Sequence, residues 1–270
     1  MNYLDASTAS DLCPVAAALR GIQTRAIDLG IDIMVVGATA RDILLQHHVG
    51  LTPERATADV DVAIAVSGWE DFDALTGPLD NPSKRSHEFR VGDMTVDIIP
   101  FGGVENADRT ILWPDEHRMN VLGFAEAMAS AVHVALPLQI EVAVASLPAQ
   151  SLLKLIAWRD RRFIGRKDAV DLRTILLAYH RGPYHDALYD DHFDLLEKRD
   201  FVPDTAGAER IGSDAAALVG EADRAVVRDT LLLRDDLMGA LAGDMGGGRI
   251  ADNRSLLEAY RDGFAMAAGS

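Results

Sequence analysis

The hydrophobic pattern near the N-terminus predicts a helix, a strand and a second helix in close succession. Apolar residues recur at helical spacing over residues 9–29, and this pattern ends at Gly30. Ile31–Val36 is a short apolar run rich in β-branched residues, which is typical of a buried strand. Gly37 ends the run, and helical spacing resumes over Thr39–His47. We therefore expect a strand, a tight turn and a helix around Gly37.

Alternating polar and apolar residues predict a half-buried strand over Ala58–Val66. Asp59 and Asp61 share one face of this strand with Ala63. The opposite face consists of apolar β-branched residues: Val60, Val62, Ile64 and Val66. Two aspartates are thus predicted to stand on a rigid strand whose other face is buried.

A β-hairpin is predicted further along the chain. Glu88–Val91 and Met94–Ile99 form its strands, and the Gly92-Asp93 pair between them is typical of a two-residue hairpin turn. The second strand carries Asp97. A third aspartate is therefore predicted on a separate strand.

The rest of the pattern divides the chain into an α+β domain and a helical domain. Trp69–Leu75 is predicted as a helix, and Val132–Ala135 and Gln139–Ala143 are predicted as strands. Helical periodicity dominates beyond Ala145, so we expect domains at 1–145 and 146–270. The helices predicted in the second domain cover residues 146–162, 167–179, 184–198, 206–219, 222–241 and 251–266. The predicted fold class is α+β: a mixed β-sheet flanked by helices, followed by a helical C-terminal lobe.

Composition limits the classes of protein that this chain can represent. It has 270 residues, of which 49% are hydrophobic and 25% charged, as in ordinary globular proteins. Its single cysteine, Cys13, excludes an internal disulfide and a cysteine-based zinc site, and the histidine spacing suggests no metal cluster. The N-terminus lacks the basic residues of a secretory signal, and no apolar run reaches the ~18 residues of a membrane span. We expect a cytoplasmic protein without a membrane partner.

The net charge of −16 argues against a broad nucleic-acid-binding surface, because Lys and Arg supply most non-specific affinity for such polymers. One segment reverses this charge: Lys154–Arg173 contains seven basic and three acidic residues. At helical spacing, Lys154, Trp158 and Arg161 share one face. The other arginines there are interpreted as a solvated helix with charge pairs: Arg159, Arg162 and Arg166. The net charge therefore leaves one alternative for nucleic-acid binding, a local basic patch.

The aspartates have the chemistry and spacing of a site for phosphoryl transfer. Such a site needs carboxylates for Mg²⁺, backbone N–H groups for a triphosphate, and cations for developing charge. Residues two apart on a strand point the same way with Cα atoms roughly 6.6 Å apart, so Asp59 and Asp61 can converge on two metal ions. Asp97 adds a third carboxylate. Oxygen ligands on strands favour Mg²⁺ over softer metals.

The segment after the first strand predicts a phosphate site. Gly37 lets the backbone approach a phosphate, Thr39 adds a hydroxyl, and the helix N-terminus contributes free N–H groups and its positive dipole end. Two roles stay open for Arg41, in the first helical turn. It either contacts a phosphate or pairs with Asp42 or another carboxylate as a structural anchor.

These motifs resemble the AbiEii/AbiGii class of nucleotidyltransferase toxins, a branch of the DNA polymerase β-like superfamily. The matching segments are Val-Val-Gly-Ala-Thr-Ala-Arg-Asp at 35–42, Thr-Ala-Asp-Val-Asp at 57–61, Val-Asp-Ile-Ile-Pro-Phe-Gly at 96–102, and the Leu-Lys to Asp-Ala-Val-Asp-Leu stretch at 153–172. The resemblance covers about residues 30–180 and implies a nucleotidyltransferase core in the α+β domain. The Arg-Asp ending of the first motif also resembles tRNA-CCA-adding and poly(A) polymerases.

The resemblance assigns roles to residues in both domains. It implies that Asp59 and Asp61 bind the metals and that residues 37–39 bind nucleotide phosphate. Lys154 would neutralise triphosphate charge, and Asp168 would either orient the acceptor or act as a base. Ala38 departs from the usual Ser or Gly of the first motif. Either Thr39 replaces the missing contact, or phosphate binding is weaker than in relatives.

The function expected from these features is transfer of NMP from an NTP, with two Mg²⁺ ions, to an acceptor hydroxyl. The resemblance implies RNA, in some members tRNA, as acceptor, and a toxin whose antitoxin protein is encoded nearby. A small molecule or a protein is an alternative acceptor, which the overall acidity slightly favours. A third hypothesis is a catalytically silent nucleotide-binding or partner-binding module. Retention of Asp59, Asp61, Asp97 and Lys154 together argues against the silent module.

Overall fold

A computed structural model describes residues 3–52, 59–83 and 85–266 of the chain. The chain forms two compact units, each with its own core. The first unit comprises Met1–Ile43 and Thr52–Ser146, and the second comprises Leu44–Leu51 and Leu147–Ser270. The first unit is built on a sheet and the second is helical, so the α+β fold class predicted from the pattern is confirmed.

The first unit is built on a seven-stranded mixed sheet with the order β1-β8-β9-β2-β3-β5-β4, beside a two-stranded sheet of β6 and β7. The strands are β1 (Tyr3–Asp5), β2 (Asp32–Val36), β3 (Asp59–Val66), β4 (Glu88–Val91), β5 (Met94–Gly102), β6 (Thr110–Leu112), β7 (Arg118–Asn120), β8 (Val132–Leu136) and β9 (Ile140–Val144). The interior strand β3 pairs antiparallel with β2 and parallel with β5. The hairpin of β4 and β5 completes that edge.

One face of the interior strand β3 is apolar and buried. Its β-branched residues Val60, Val62 and Ile64 are fully buried, whereas Asp59 is exposed and Asp61 is half-buried. The predicted alternation is therefore confirmed. Ala58, the predicted first residue of this strand, lies outside the described residues, as does Thr57 of the matching motif.

The α-helices in the described part of this unit are α1 (Cys13–Leu29), α2 (Gly37–Leu44, whose last residue belongs to the second unit), α3 (Trp69–Thr76) and α4 (Phe124–Ala129). α1 ends at Gly30, whose left-handed backbone is the usual glycine C-cap. α2 begins at Gly37, two residues before the predicted start, so the chain enters this helix directly from β2. A π-helical turn at Leu45–Val49 follows α2.

The second unit consists of helices joined by short turns. They are α5 (Leu147–Arg161), α6 (Lys167–Ala178), α7 (Pro183–Asp190), α8 (Phe193–Lys198), α9 (Pro203–Leu218), α10 (Glu221–Val227), α11 (Asp235–Asp244) and α12 (Ile250–Met266). Among the described residues, no helix is both long enough and apolar enough to cross a bilayer.

Two helices predicted as continuous are interrupted, and those two predictions were wrong. The segment 184–198 breaks at His192, whose backbone is not helical, so α7 and α8 are separate. The segment 222–241 breaks at Arg234, where the extended backbone caps α11 and the side chain pairs with Asp236. A local polar bond replaces helical continuity there, which apolar periodicity alone does not reveal.

The longest helices of the second unit, α9 and α12, pack with their backbones in direct contact at two glycines. A Cβ on Gly212 would overlap the carbonyl oxygen of Tyr260, and a Cβ on Gly263 would overlap that of Glu209. Because these obstacles are backbone atoms, no side-chain rotation can relieve the overlap. The helix pair therefore depends on both glycines.

We predict that Gly263→Ala lowers the free energy of unfolding by about 3 kcal/mol, because the added methyl group forces α9 and α12 apart. The matched control is Gly243→Ala in α11, where an added Cβ meets nothing within 4 Å. That change is expected to be neutral or to stabilise by up to about 1 kcal/mol through helix propensity. Urea denaturation measures both effects. Equal effects of the two substitutions would contradict the close packing.

Candidate functional site

Asp61 and Asp97 stand directly opposite each other on the neighbouring strands β3 and β5. Adjacent strands lie roughly 4.8 Å apart, so side chains at such a register position share one face and lie close together. Both aspartates are half-buried. The two carboxylates predicted on separate strands are thus neighbours on the same face of the sheet.

Asp59 lies two residues before Asp61 on the same face of β3. Its register partner on β5 is Thr95, and its side chain is exposed. Asp59 therefore lies beside the pair of Asp61 and Asp97, two residues away along β3 and more exposed to solvent.

A fourth carboxylate, Glu88, lies next to Asp97, although the sequence pattern did not single it out as a site residue. In the hairpin, Glu88 lies opposite Asp97, so Asp61, Asp97 and Glu88 occupy one row across three adjacent strands. Arg85 makes an ion pair with Glu88 at 3.3 Å. The sequence contains the information needed to predict this position of Glu88, because a two-residue turn at Gly92-Asp93 fixes the register of the hairpin.

The oxygen-only donors of this row suit Mg²⁺. Among the described residues, no group of three or more His, Cys, Asp or Glu side chains is arranged closely enough to hold a metal. Proteins usually hold Mg²⁺ through one or two carboxylates together with substrate phosphates and water. Asp61 and Asp97 fit that kind of site, with Asp59 beside them.

Gly37 is required at its position for two independent reasons. Its φ of +65° is a left-handed conformation that disfavours other residues. In addition, a Cβ at this position would lie 2.6 Å from Cγ of Asp61. The backbone at the start of α2 therefore touches the carboxylate side chain. This contact places the free N–H groups of the first helical turn beside the acidic row.

Thr39 ties the first turn of α2 to β3. Its side chain is buried, and its hydroxyl donates a hydrogen bond to the carbonyl oxygen of Asp59 at 2.9 Å. Ala38, before it, is half-buried. Thr39 thus positions the turn relative to the aspartates, and the phosphate contact expected of its hydroxyl stays a prediction.

The Arg41 guanidinium is paired with Asp42. This is the contact expected if Arg41 is a structural anchor rather than a phosphate ligand. Its Nε and Nη2 atoms donate to one oxygen of Asp42 at 2.8 and 2.6 Å, and the arginine is buried. Charge-assisted bonds of this length hold the side chain firmly. The pair with Asp42 is the contact that the anchoring role requires, and the phosphate contact of Arg41 stays a prediction.

Lys154 lies in an ion-pair cluster of the second unit. Its Nζ atom is 3.1 Å from Asp168 and 2.7 Å from Asp171, and both aspartates are buried. Arg161 donates to both oxygens of Asp168 at 2.6 and 2.8 Å. Two cations and two carboxylates thus join α5 to α6.

The surroundings of Asp168 favour its ionised form. Burial alone would raise the pKa of this carboxyl, but the hydrogen bond from Arg161 and the charge of Lys154 outweigh it, so the pKa lies below its ordinary value. A carboxylate with a lowered pKa accepts protons poorly. The geometry therefore favours an anchoring role for Asp168 over that of a base. The roles of Lys154 and Asp168 towards a nucleotide stay predictions.

Trp158, expected to share a face with Lys154, is fully buried. Its indole Nε1 donates to Asp244 at 3.0 Å. This residue is thus part of the core of the second unit.

No protein-family model and no curated protein matches the chain. Solved structures share distant similarity. The chain is 14% identical to ANT(2")-Ia in complex with adenylyl-2"-tobramycin, with a TM-score of 0.38, over 71% of this chain and 95% of that one. It is 12% identical to the Thermotoga maritima CCA-adding enzyme complexed with tRNA, with a TM-score of 0.25, over 94% of this chain and 82% of that one. Similarities with TM-scores below 0.5 do not establish a family.

We predict that Gly37→Ala destabilises the protein more than Gly30→Ala does. Both glycines have similar positive φ angles, +65° and +68°, but a Cβ on Gly30 meets nothing within 4 Å. Gly30→Ala should therefore cost only the left-handed strain, about 1 kcal/mol. Gly37→Ala should cost about 1–3 kcal/mol more, because it also displaces Asp61. Urea unfolding of both variants measures the difference, and equal costs would refute the contact.

We predict that Asp168→Asn lowers the free energy of unfolding near neutral pH by about 3 kcal/mol, because Lys154 and Arg161 lose a buried counter-ion. The matched control Asp160→Asn removes only a partly exposed pair with Arg159 and should cost at most about 1 kcal/mol. Urea denaturation of both variants gives the comparison. Equal losses in the two variants would show that the cluster contributes no more than a surface ion pair.

The same carboxyl predicts a pH dependence. Its pKa is lower in the folded than in the unfolded state, so its stabilisation is present above the ordinary value of 3.8 and is lost as the pH falls through the folded pKa. The stability of Asp168→Asn should therefore decline less than that of the unmodified protein on acidification from about pH 7 to about pH 3. Parallel declines in urea titrations would contradict the lowered pKa.

Proposed function

We propose that the first unit is the catalytic core of a nucleotidyltransferase that binds an NTP with Mg²⁺. One observation carries this proposal: Asp61 and Asp97 stand in register on adjacent strands, and the Asp61 side chain contacts the Gly37 backbone that opens α2. Paired carboxylates and a helix N-terminus at one point supply what a metal-bound triphosphate requires.

In the proposed reaction, the oxygen of an acceptor hydroxyl attacks the α-phosphorus of the NTP. A new phosphorus–oxygen bond forms, the bond from the α-phosphorus to the bridging oxygen breaks, and pyrophosphate leaves with its electron pair. The hydroxyl proton passes to solvent. When bound, Mg²⁺ neutralises phosphate charge. Asp61 and Asp97 would hold the metal with Asp59 beside them, and the N–H groups of the first turn of α2 would hold phosphate oxygens.

The acceptor proposed first is RNA, tRNA being one form of it. The resemblance of the motifs to toxins that act with an antitoxin encoded nearby supports this choice, and the role proposed with it is that of the toxin in a toxin-antitoxin or phage-defence system. A small molecule or a protein is the second candidate acceptor. The net charge of −16 favours the second candidate, because an acidic surface repels an RNA polymer.

We predict that Asp61→Asn loses nucleotide transfer by about 100-fold or more, because one of two facing carboxylates is removed. The measurement uses α-³²P-labelled NTPs, Mg²⁺ and cellular RNA, protein or small-molecule extracts as acceptors. The matched control is Asp93→Asn in the exposed hairpin turn, which should keep full activity. Full activity of Asp61→Asn would place catalysis elsewhere. NTP binding without transfer in calorimetry would indicate a silent module.

The acceptor class is distinguished by salt. If RNA is the acceptor, transfer should fall steeply as salt rises, because bound cations are released from phosphates. Transfer to a small molecule or a protein should change little over the same range. A flat salt profile would therefore exclude RNA while leaving the catalytic site in place.

A further inference from the structure

The turn between α5 and α6 has a surface unlike that of the surrounding acidic chain. We call residues 162–167 the basic turn, which includes Lys167, the first residue of α6. Phe163 and Ile164 within it are 88% and 89% exposed, which is unusual for large apolar side chains. Residues 159–167 contain five basic residues and one acidic residue, in a chain with a net charge of −16. The turn thus combines exposed apolar surface with positive charge.

Phe163 is held in place by a stack of side chains. The Arg162 guanidinium carbon lies 4.6 Å from the centre of the Phe163 ring and 5.5 Å from that of the buried Trp158. Trp158 is fixed in turn by its hydrogen bond to Asp244. A cation between two rings makes favourable contacts with both. The exposed ring is therefore supported from beneath and preorganised for a planar ligand.

Positive charge remains available around this ring. Arg161 pairs with Asp168, and Arg166 pairs with Asp244 while its side chain stays 72% exposed. Within the described part of the chain, neither Arg162 nor Lys167 lies within ion-pair distance of a carboxylate. These two cations have charge to offer a ligand.

An open cavity of about 490 Å³ adjoins the basic turn, and Ala240 and Asp244 complete its lining. Small-molecule sites have volumes of roughly 300–1,000 Å³. The cavity therefore has room for a group the size of a nucleotide beside the exposed ring.

We propose that the basic turn binds single-stranded RNA, with a base stacked on Phe163 and the adjacent phosphates contacting Arg162 and Lys167. Stacking on aromatic side chains within a basic surface is how proteins bind single strands without reading their sequence. An acidic peptide would pair with the cations, but its carboxylates would not stack on the exposed ring of Phe163. This inference deepens the proposed function, on which its biological meaning rests, by naming where an RNA acceptor docks.

The test measures fluorescence anisotropy of a short fluorescein-labelled oligouridine, without NTP or Mg²⁺. Phe163→Ala should weaken binding by about tenfold or more, because one stacked base is lost. The matched control Phe193→Ala removes another exposed ring of the second unit, one flanked by Asp191 and Asp194, and should bind as tightly as the unmodified protein. Circular dichroism verifies that both variants fold.

Two substitutions at Arg162 separate charge from stacking. Arg162→Gln should lower the slope of log Kd against log salt by about 0.7, the value for one phosphate contact on a single strand. Arg162→Lys should keep that slope but still weaken binding, because it removes the planar support beneath Phe163. An unchanged slope in Arg162→Gln would overturn the phosphate contact.

Several results would overturn the proposal: no binding of the oligouridine, equal binding by Phe163→Ala, equal affinity for duplex RNA, or equally efficient competition by polyglutamate. The binding assay is independent of transfer. Loss of turn-dependent binding while transfer to another acceptor persists would defeat this inference alone. Turn-dependent binding in a protein that transfers no nucleotide would support this inference and defeat the proposed function.

Discussion

The register of β3 between β2 and β5 is the constraint on which the candidate site depends. It places Asp61 opposite both Val36, the last residue of β2, and Asp97 of β5. The chain then turns at Gly37 against the Asp61 side chain. A slip of one residue would bury the aspartates and expose the apolar face of β3. Burial of the valines on that face therefore fixes the positions of Asp61 and Asp97 on the opposite face.

Local patterns in the sequence predicted what is local in the structure. The alternation in β3, the hairpin turn at Gly92-Asp93 and the helix ending at Gly30 follow from neighbouring residues, and the structure has each of them. The position of Glu88 opposite Asp97 could also have been predicted, since the register of the hairpin depends only on neighbouring residues. The pairing of Asp61 with Asp97 could not be predicted in this way, because α3 and β4 lie between their two strands along the chain. Periodicity identifies the face of a residue, but not what packs against that face.

The ion pairs of the second unit show the same limit of periodicity, which does not reveal which charged residues pair with each other. Helical spacing correctly placed Lys154 and Arg161 on one face, yet Asp168 brings them together through a second helix. In that unit, carboxylates are neutralised by cations of the protein, which stabilises the helix pair. In the first unit, Asp61 and Asp97 instead lie opposite each other on adjacent strands. Carboxylates brought together at a rigid, half-buried position are typical of a binding site rather than of a structural element.

The overall acidity of the chain determines how the basic turn would act on RNA. A net charge of −16 repels a polyanion at long range, so the protein gains little from electrostatic steering. The attraction of the turn extends only about one Debye length, roughly 8 Å at physiological salt, which is the scale of a few nucleotides. Affinity must therefore come from short-range contact, chiefly stacking on Phe163. A short flexible strand can make that contact, whereas a long duplex meets the acidic surface and has no free base to offer.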